Sequence, residues 1–174
     1  MPWSEADEHG NLRSRQWFCG VWSWSALRLS SLIFATLALI PTGAHLFEMA
    51  NKLKLDQVTY LAAQRSYDGW NLFGIAILGA LLSTFALAIA SYRQAKEYFF
   101  SGLAFVCLAA TQVIFWAFTL PMNQATNNRT TLPVNWEELR RQWEFSHAAS
   151  AVLNFLALVL LFLAVLSKAD RADV

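Results

Sequence analysis

Four stretches of this chain carry no Asp, Glu, Lys or Arg: residues 29–47, 70–92, 98–122 and 145–167. Each is close to or beyond the roughly 20 apolar residues that cross a bilayer as a helix. Backbone in hydrocarbon must satisfy its own hydrogen bonds, so separate runs of this length fold as helices. The pattern predicts an all-α integral membrane protein, a four-transmembrane-helix antiparallel bundle. Composition agrees. Of the 174 residues, 56% are hydrophobic and 14% charged, against about 25% charged in ordinary soluble domains. The lipid bilayer is the first expected partner.

Around these runs the chain divides into a polar and aromatic leader (1–26), a four-helix transmembrane domain (27–168) and a short tail (169–174). The leader ends in Trp17, Phe18, Trp22 and Trp24, which read as an interfacial anchor. The first span is expected to end near Leu46, after Pro41 and Gly43. A short helix is expected over 56–65, a second span over 67–92 and a third over 98–120, stopping at Pro121. The Asn- and Thr-rich segment 123–135 reads as a loop. Asn135 is placed to cap a helix that starts at Trp136, with Glu137 and Glu138 in its first turn. Gly79, Ala80, Gln112, Thr119 and Asn154 read as helix-packing residues.

A net charge of +1 without a basic patch excludes nucleic acid as an expected partner. Cys19 and Cys107 lie in different settings, so neither a structural disulfide nor a metal-type cysteine spacing is expected. The first apolar run follows a charged leader and is long enough to stay in the membrane, so no cleaved signal peptide is expected. The termini and the 93–97 turn carry seven Lys or Arg and the two longer loops six. With the Asn- and Thr-rich loops outside, the expected location is a bacterial inner membrane with cytoplasmic termini.

That topology gathers the unusual residues at one end of the bundle. Trp136, Arg140, Trp143 and His147 are spaced four, three and four apart, one stripe on a helix. A polar, aromatic stripe entering a membrane span is costly unless it faces protein or a water-filled cavity. His45, Glu48, Tyr67, Trp70, Asn71, Trp116, Asn123 and Glu144 are expected at the same end. Trp136, Trp143, Tyr67, Trp70, Asn71 and Trp116 would wall a site for an aromatic or quinone-like small molecule. His147 or His45 would act as the base, since imidazole titrates near working pH. Arg140 and Asn123 would hold an oxyanion.

A second reading uses the pair His45-x-x-Glu48 and Glu144-x-x-His147. Glu-x-x-His on facing helices is a di-metal ligand arrangement, and His45, Glu48, Glu144 and His147 could hold one transition metal. The two histidines could also ligate a haem. Spans two and three supply only Asp68 as a further carboxylate, and Glu144 can pair with Arg140 one turn back. A third reading is non-enzymatic: a small membrane subunit of a larger complex, a lipid- or quinone-binding partner, or a homo-oligomer.

The segments Gly43-Ala-His45-Leu-Phe-Glu48, Tyr67-Asp-Gly69-Trp70, Leu120-Pro121-Met-Asn123 and Trp136-Glu-Glu-Leu-Arg140-Arg-Gln-Trp143-Glu-Phe-Ser-His147 resemble a domain-of-unknown-function family of small four-span membrane proteins. That family includes the anthrone oxygenase-like proteins. The resemblance covers roughly residues 32–166. It implies a cofactor-independent oxygenase or oxidoreductase that turns an anthrone into an anthraquinone with dioxygen, without metal or flavin. It also implies Asn123, Trp136, Arg140, Trp143 and His147 as site residues. His45 and Glu48 match the family's membrane-protein branch better than its anthrone oxidisers.

Overall fold

A computed structural model describes the backbone over residues 5–169 and side chains over 24–167. Among the described residues the chain is all-helical. The helices are α1 (Glu5–Lys52), α2 (Gln57–Arg65), α3 (Phe73–Ala90), α4 (Ala95–Ile114), α5 (Leu120–Ala125) and α6 (Trp136–Ala169). A 3-10 turn, Trp70–Leu72, leads into α3, and a wider π turn, Phe115–Thr119, joins α4 to α5. Four segments are long and apolar enough to cross a membrane: Trp24–Lys52, Trp70–Ala90, Ala95–Ala125 and Trp136–Ser167.

α1 packs on α3 and α6, and α4 packs on the same two helices. The four form a ring with α1 across from α4. Thr42 meets Asn154, His45 meets His147 and Lys52 meets Glu144, so partners fall along α6 as numbers rise along α1. The core uses small side chains, with Ala35, Ala38, Ala80, Ala104, Ala157 and Ala164 all at 0% exposure. Large apolar groups such as Phe85, Phe99, Val106 and Phe155 point outward. Small residues let helix backbones approach closely where the surroundings are as apolar as the contact itself. Gly79 shows this directly, because a Cβ there would lie 2.6 Å from the ring of Phe34. The packing readings of Gly79 and Ala80 are therefore met by close α1–α3 contact. Those of Thr119 and Asn154 are met by bonds to Ser146 and Thr42.

Two expectations need correction. The first span does not end near Leu46: α1 continues through Pro41 to Lys52. Proline forfeits one hydrogen bond, but the rest of the ladder runs on and carries Glu48 and Lys52 in helical register with His45. The short helix is α2, with Asp56 as its N-cap accepting from the amides of Val58 and Thr59 at 3.0 and 3.1 Å. The third span does not stop at Pro121, which sits in the first turn of α5 after the π turn. There the helix widens, with the Leu120 amide reaching back to the Phe115 carbonyl. The Phe118 carbonyl accepts from Gln142 at 2.9 Å. The leader aromatics Trp17, Phe18 and Trp22 lie outside the described side chains, as does Cys19.

At the far end from the loops, Arg28 donates through Nε and Nη2 to Glu97 at 2.6 and 2.9 Å. Glu97 is fully buried and Arg28 nearly so. This enclosed ion pair ties α1 to α4 across the ring, where the sequence suggests only a tight turn and the termini.

Candidate functional site

The 3-10 turn, α3, α4, the π turn and the inner faces of α1 and α6 enclose a cavity of about 410 Å³. Its lower part mixes polar Thr42, Gln112, Ser150 and Asn154 with apolar Ile77, Leu78 and Leu81. Its upper wall is made by His45, Tyr67, Trp70, Asn71, Asn123, Trp143 and His147. Seven of the residues singled out in the sequence thus converge. The helical register explains it: His45 on α1 and His147 on α6 meet at the same depth, with ring centroids 4.3 Å apart. Trp143, one turn before His147, stacks edge-on to both rings, at 4.7 Å from His45 and 4.2 Å from His147. Tyr67 also closes on His45, at 4.2 Å. Trp143 donates its indole N–H to Oδ1 of Asn123 at 3.0 Å. With that oxygen occupied, the amide N–H groups of Asn123 are the donors it has left.

Lys52, absent from the sequence reading, organises this wall. It is 4% exposed. Its ammonium lies 2.9 Å from Oε2 of Glu144 and 3.2 Å from Nδ1 of His45. It also sits 5.0 Å from the ring centre of Tyr67 and 5.1 Å from that of Trp143. An ammonium has donors and no acceptor, so Nδ1 of His45 accepts and its proton resides on Nε2. His45 is thereby a neutral hydrogen-bond donor. His147 is different. Its Nδ1 is enclosed without a hydrogen-bond partner among the described residues, while the ring lines the cavity. The two histidines are neighbours with distinct surroundings. Lys52 was findable, because it follows Glu48 by four residues and His45 by seven once the helix is extended.

Glu144 is fully buried and also receives Gln64 Nε2 at 3.3 Å and the Tyr60 hydroxyl at 3.4 Å. Its partner is therefore Lys52 rather than the expected Arg140. Glu48 accepts from the Tyr67 hydroxyl and lies 3.9 Å from Lys52. Among the described residues no three His, Cys, Asp or Glu side chains cluster as metal ligands, and Glu144 and Glu48 are engaged by Lys52 and Tyr67. His45 and His147 are in ring contact. Both phenols at this end have raised pKa values. Burial is the main cause for Tyr60, then Glu144; for Tyr67 it is burial, then Glu48.

Three expected site residues lie elsewhere. Arg140 is buried, donates to the carbonyl of Leu55 at 2.7 Å, and packs against the adjacent rings of Trp136 and Tyr60 at 4.6 and 5.5 Å. It clamps the 53–56 connection and α2 to α6 and does not line the cavity. Trp136 belongs to the same stack. The stripe is real, but Arg140 lies about 10 Å further along the helix axis than His147, beyond the level at which Trp143 closes the cavity. Trp116 is 65% exposed on the outer surface beside Phe115. The π turn breaks the 3.6-residue register on which its inward placement depended. Conversely, Arg129 lines the cavity although it belongs to a loop whose sequence carries no periodic signal.

None of the family models, curated proteins or solved structures compared with this chain matches it.

Proposed function

We propose that this chain is an integral membrane protein, a four-span antiparallel bundle with cytoplasmic termini, whose cavity binds and oxidises a flat phenolic or quinone-like molecule. The observation that carries the reading is the juxtaposed pair His45 and His147 set into an aromatic wall of Tyr67, Trp70 and Trp143. Outward-facing Phe, Leu and Val side chains support lipid contact. A cavity near 410 Å³ falls in the range of about 300–1,000 Å³ that suits small organic ligands. The resemblance to anthrone oxygenase-like proteins supports dioxygen as the oxidant.

In this mechanism His147 takes a proton from the activated CH₂ of the substrate. His45 Nε2–H and the Asn123 amide hold the resulting oxyanion, the role expected of Arg140. The carbanion form gives its electrons to dioxygen, a C–O bond forms, and the hydroperoxide loses water to leave a carbonyl. One O₂ is consumed and one H₂O released per CH₂ converted to C=O.

The test is oxygen uptake and quinone absorbance with 1,8-dihydroxyanthrone and the protein in nanodiscs, corrected for spontaneous oxidation. Loss of a general base costs about 10²–10⁴-fold, so His147→Ala should lose at least a hundredfold. Wild-type protein that does not exceed the uncatalysed rate, or a variant equal to wild type, overturns the reading.

A further inference from the structure

Among the described residues lining the cavity, Arg129 is the only one with a formal charge. No carboxylate lines it. Glu144 is taken up by Lys52, and Glu48 by Tyr67. A guanidinium has five donors and cannot be discharged, yet here it has little to donate to. Its one side-chain partner is Asp68, at 3.4 Å with the carboxylate side chain 62% exposed. Its Nε is enclosed and has no hydrogen-bond partner among the described residues.

The backbone puts that cation in place at some cost. Asn127, Asn128 and Arg129 are consecutive left-handed residues with φ of 46°, 53° and 68°. Asparagine tolerates this region; arginine does so less readily. The loop is tied down to keep it. Asn128 donates its amide to the Asn123 carbonyl at 2.7 Å, and Arg129 donates its amide to the Thr126 hydroxyl at 3.2 Å. Strain held by a built-in set of bonds beside a cavity is a feature of ligand sites.

We propose that the cavity selects an aromatic anion, with a carboxylate or ionised phenolic oxygen held by Arg129 and the rings against Tyr67, Trp70 and the two histidines. This deepens the aromatic-ligand reading above and rests on it. A positive charge without a negative neighbour in the lining favours a negative ligand over its neutral isostere. Low surrounding polarity strengthens that preference. The anion would complete the open hydrogen bonds of Arg129 and draw it from Asp68.

The experiment compares anthraquinone-2-carboxylate with anthraquinone-2-carboxamide on the full chain in phosphatidylcholine nanodiscs, by isothermal titration calorimetry. One charge-assisted pair gives wild type a preference of about tenfold or more for the carboxylate. Arg129→Gln abolishes the ratio and leaves carboxamide binding within about twofold of wild type, which also shows that the variant is folded. Equal binding of the two probes to wild type, or an unchanged ratio in Arg129→Gln, overturns this inference and leaves the aromatic cavity standing. Binding of neither probe overturns both. Should Arg129→Gln lose both probes, Arg129→Lys decides: a retained preference supports the inference, and a ratio near one overturns it. A preference erased by adding phosphatidylglycerol to the disc assigns Arg129 to lipid headgroups and overturns the inference as well.

Discussion

The ammonium of Lys52 lies 3.2 Å from Nδ1 of His45, two turns earlier on the same helix. The bond fixes which nitrogen of His45 carries the proton. Nitrogen-15 NMR of histidine-labelled protein should show His45 as the Nε2–H tautomer at neutral pH. Lys52→Met should release that constraint and mix the tautomers. An Nδ1–H tautomer in wild type would refute the assignment.

Lys52 also neutralises Glu144, which has no exposed surface. Removing one partner of a buried pair leaves an uncompensated charge and costs about 3–5 kcal/mol. Lys52→Met should lower the thermal midpoint steeply in nonionic detergent. Lys52→Met/Glu144→Leu should recover most of the loss, because replacing both partners removes the orphaned charge. A double variant as unstable as the single one contradicts this account.

Arg140 clamps the connection from α1 to α2 through the Leu55 carbonyl and its stack with Trp136 and Tyr60. Arg140→Met should expose the 53–66 segment to limited proteolysis and lower stability by about 1.5–3 kcal/mol, the scale of a hydrogen bond from a charged donor. Affinity for a neutral aromatic probe should fall far less than in a His147→Ala variant. The reverse order would put Arg140 back in the ligand site.

Tyr60 and Tyr67 hold their phenol protons above the ordinary value of 10.0, through burial first and then the carboxylates of Glu144 and Glu48. The unfolded chain releases these protons first. Their contribution to stability is thus complete below pH 10 and declines as pH rises from there toward the folded values. Thermal midpoints should fall across that interval, and Tyr67→Phe should flatten the slope. Absorbance at 295 nm showing both phenols ionised near pH 10 in the folded protein would contradict the shift.

Gly79 accepts the ring of Phe34 at a distance that leaves no room for a methyl group. Gly79→Ala should cost about 1–3 kcal/mol by overpacking α1 against α3. Pairing it with Phe34→Leu should restore part of that stability. A neutral Gly79→Ala in thermal unfolding would show that the ring simply turns away.

The four apolar segments and the common depth of His45 and His147 were legible because they follow from charge-free length and helical phase. Other placements depended on what lies between helices. Trp136 and Arg140 share the phase of His147, but α2 covers that part of the face, and sequence period carries no information about α2's docking. Lys52 was hidden by taking Pro41 and Gly43 as a stop signal when the helix tolerates both. Arg129 is placed by three left-handed residues and their loop hydrogen bonds, which depend on contacts rather than on any repeat. Arg28 and Glu97 are 69 positions apart, and only the ring topology brings them together.

The π turn at Phe115–Thr119 gives the cavity an indexing point. Each residue advances a helix by about 100°. Winding the same five residues as an ordinary α-helix, with none deleted, would swing Thr119 and Asn123 about a quarter-turn away from Ser146 and Trp143. Composition would not change, while the polar wall from this helix would face outward. Ligand selection in this molecule is thus partly arithmetic: one extra position in a turn determines which side chains meet the guest.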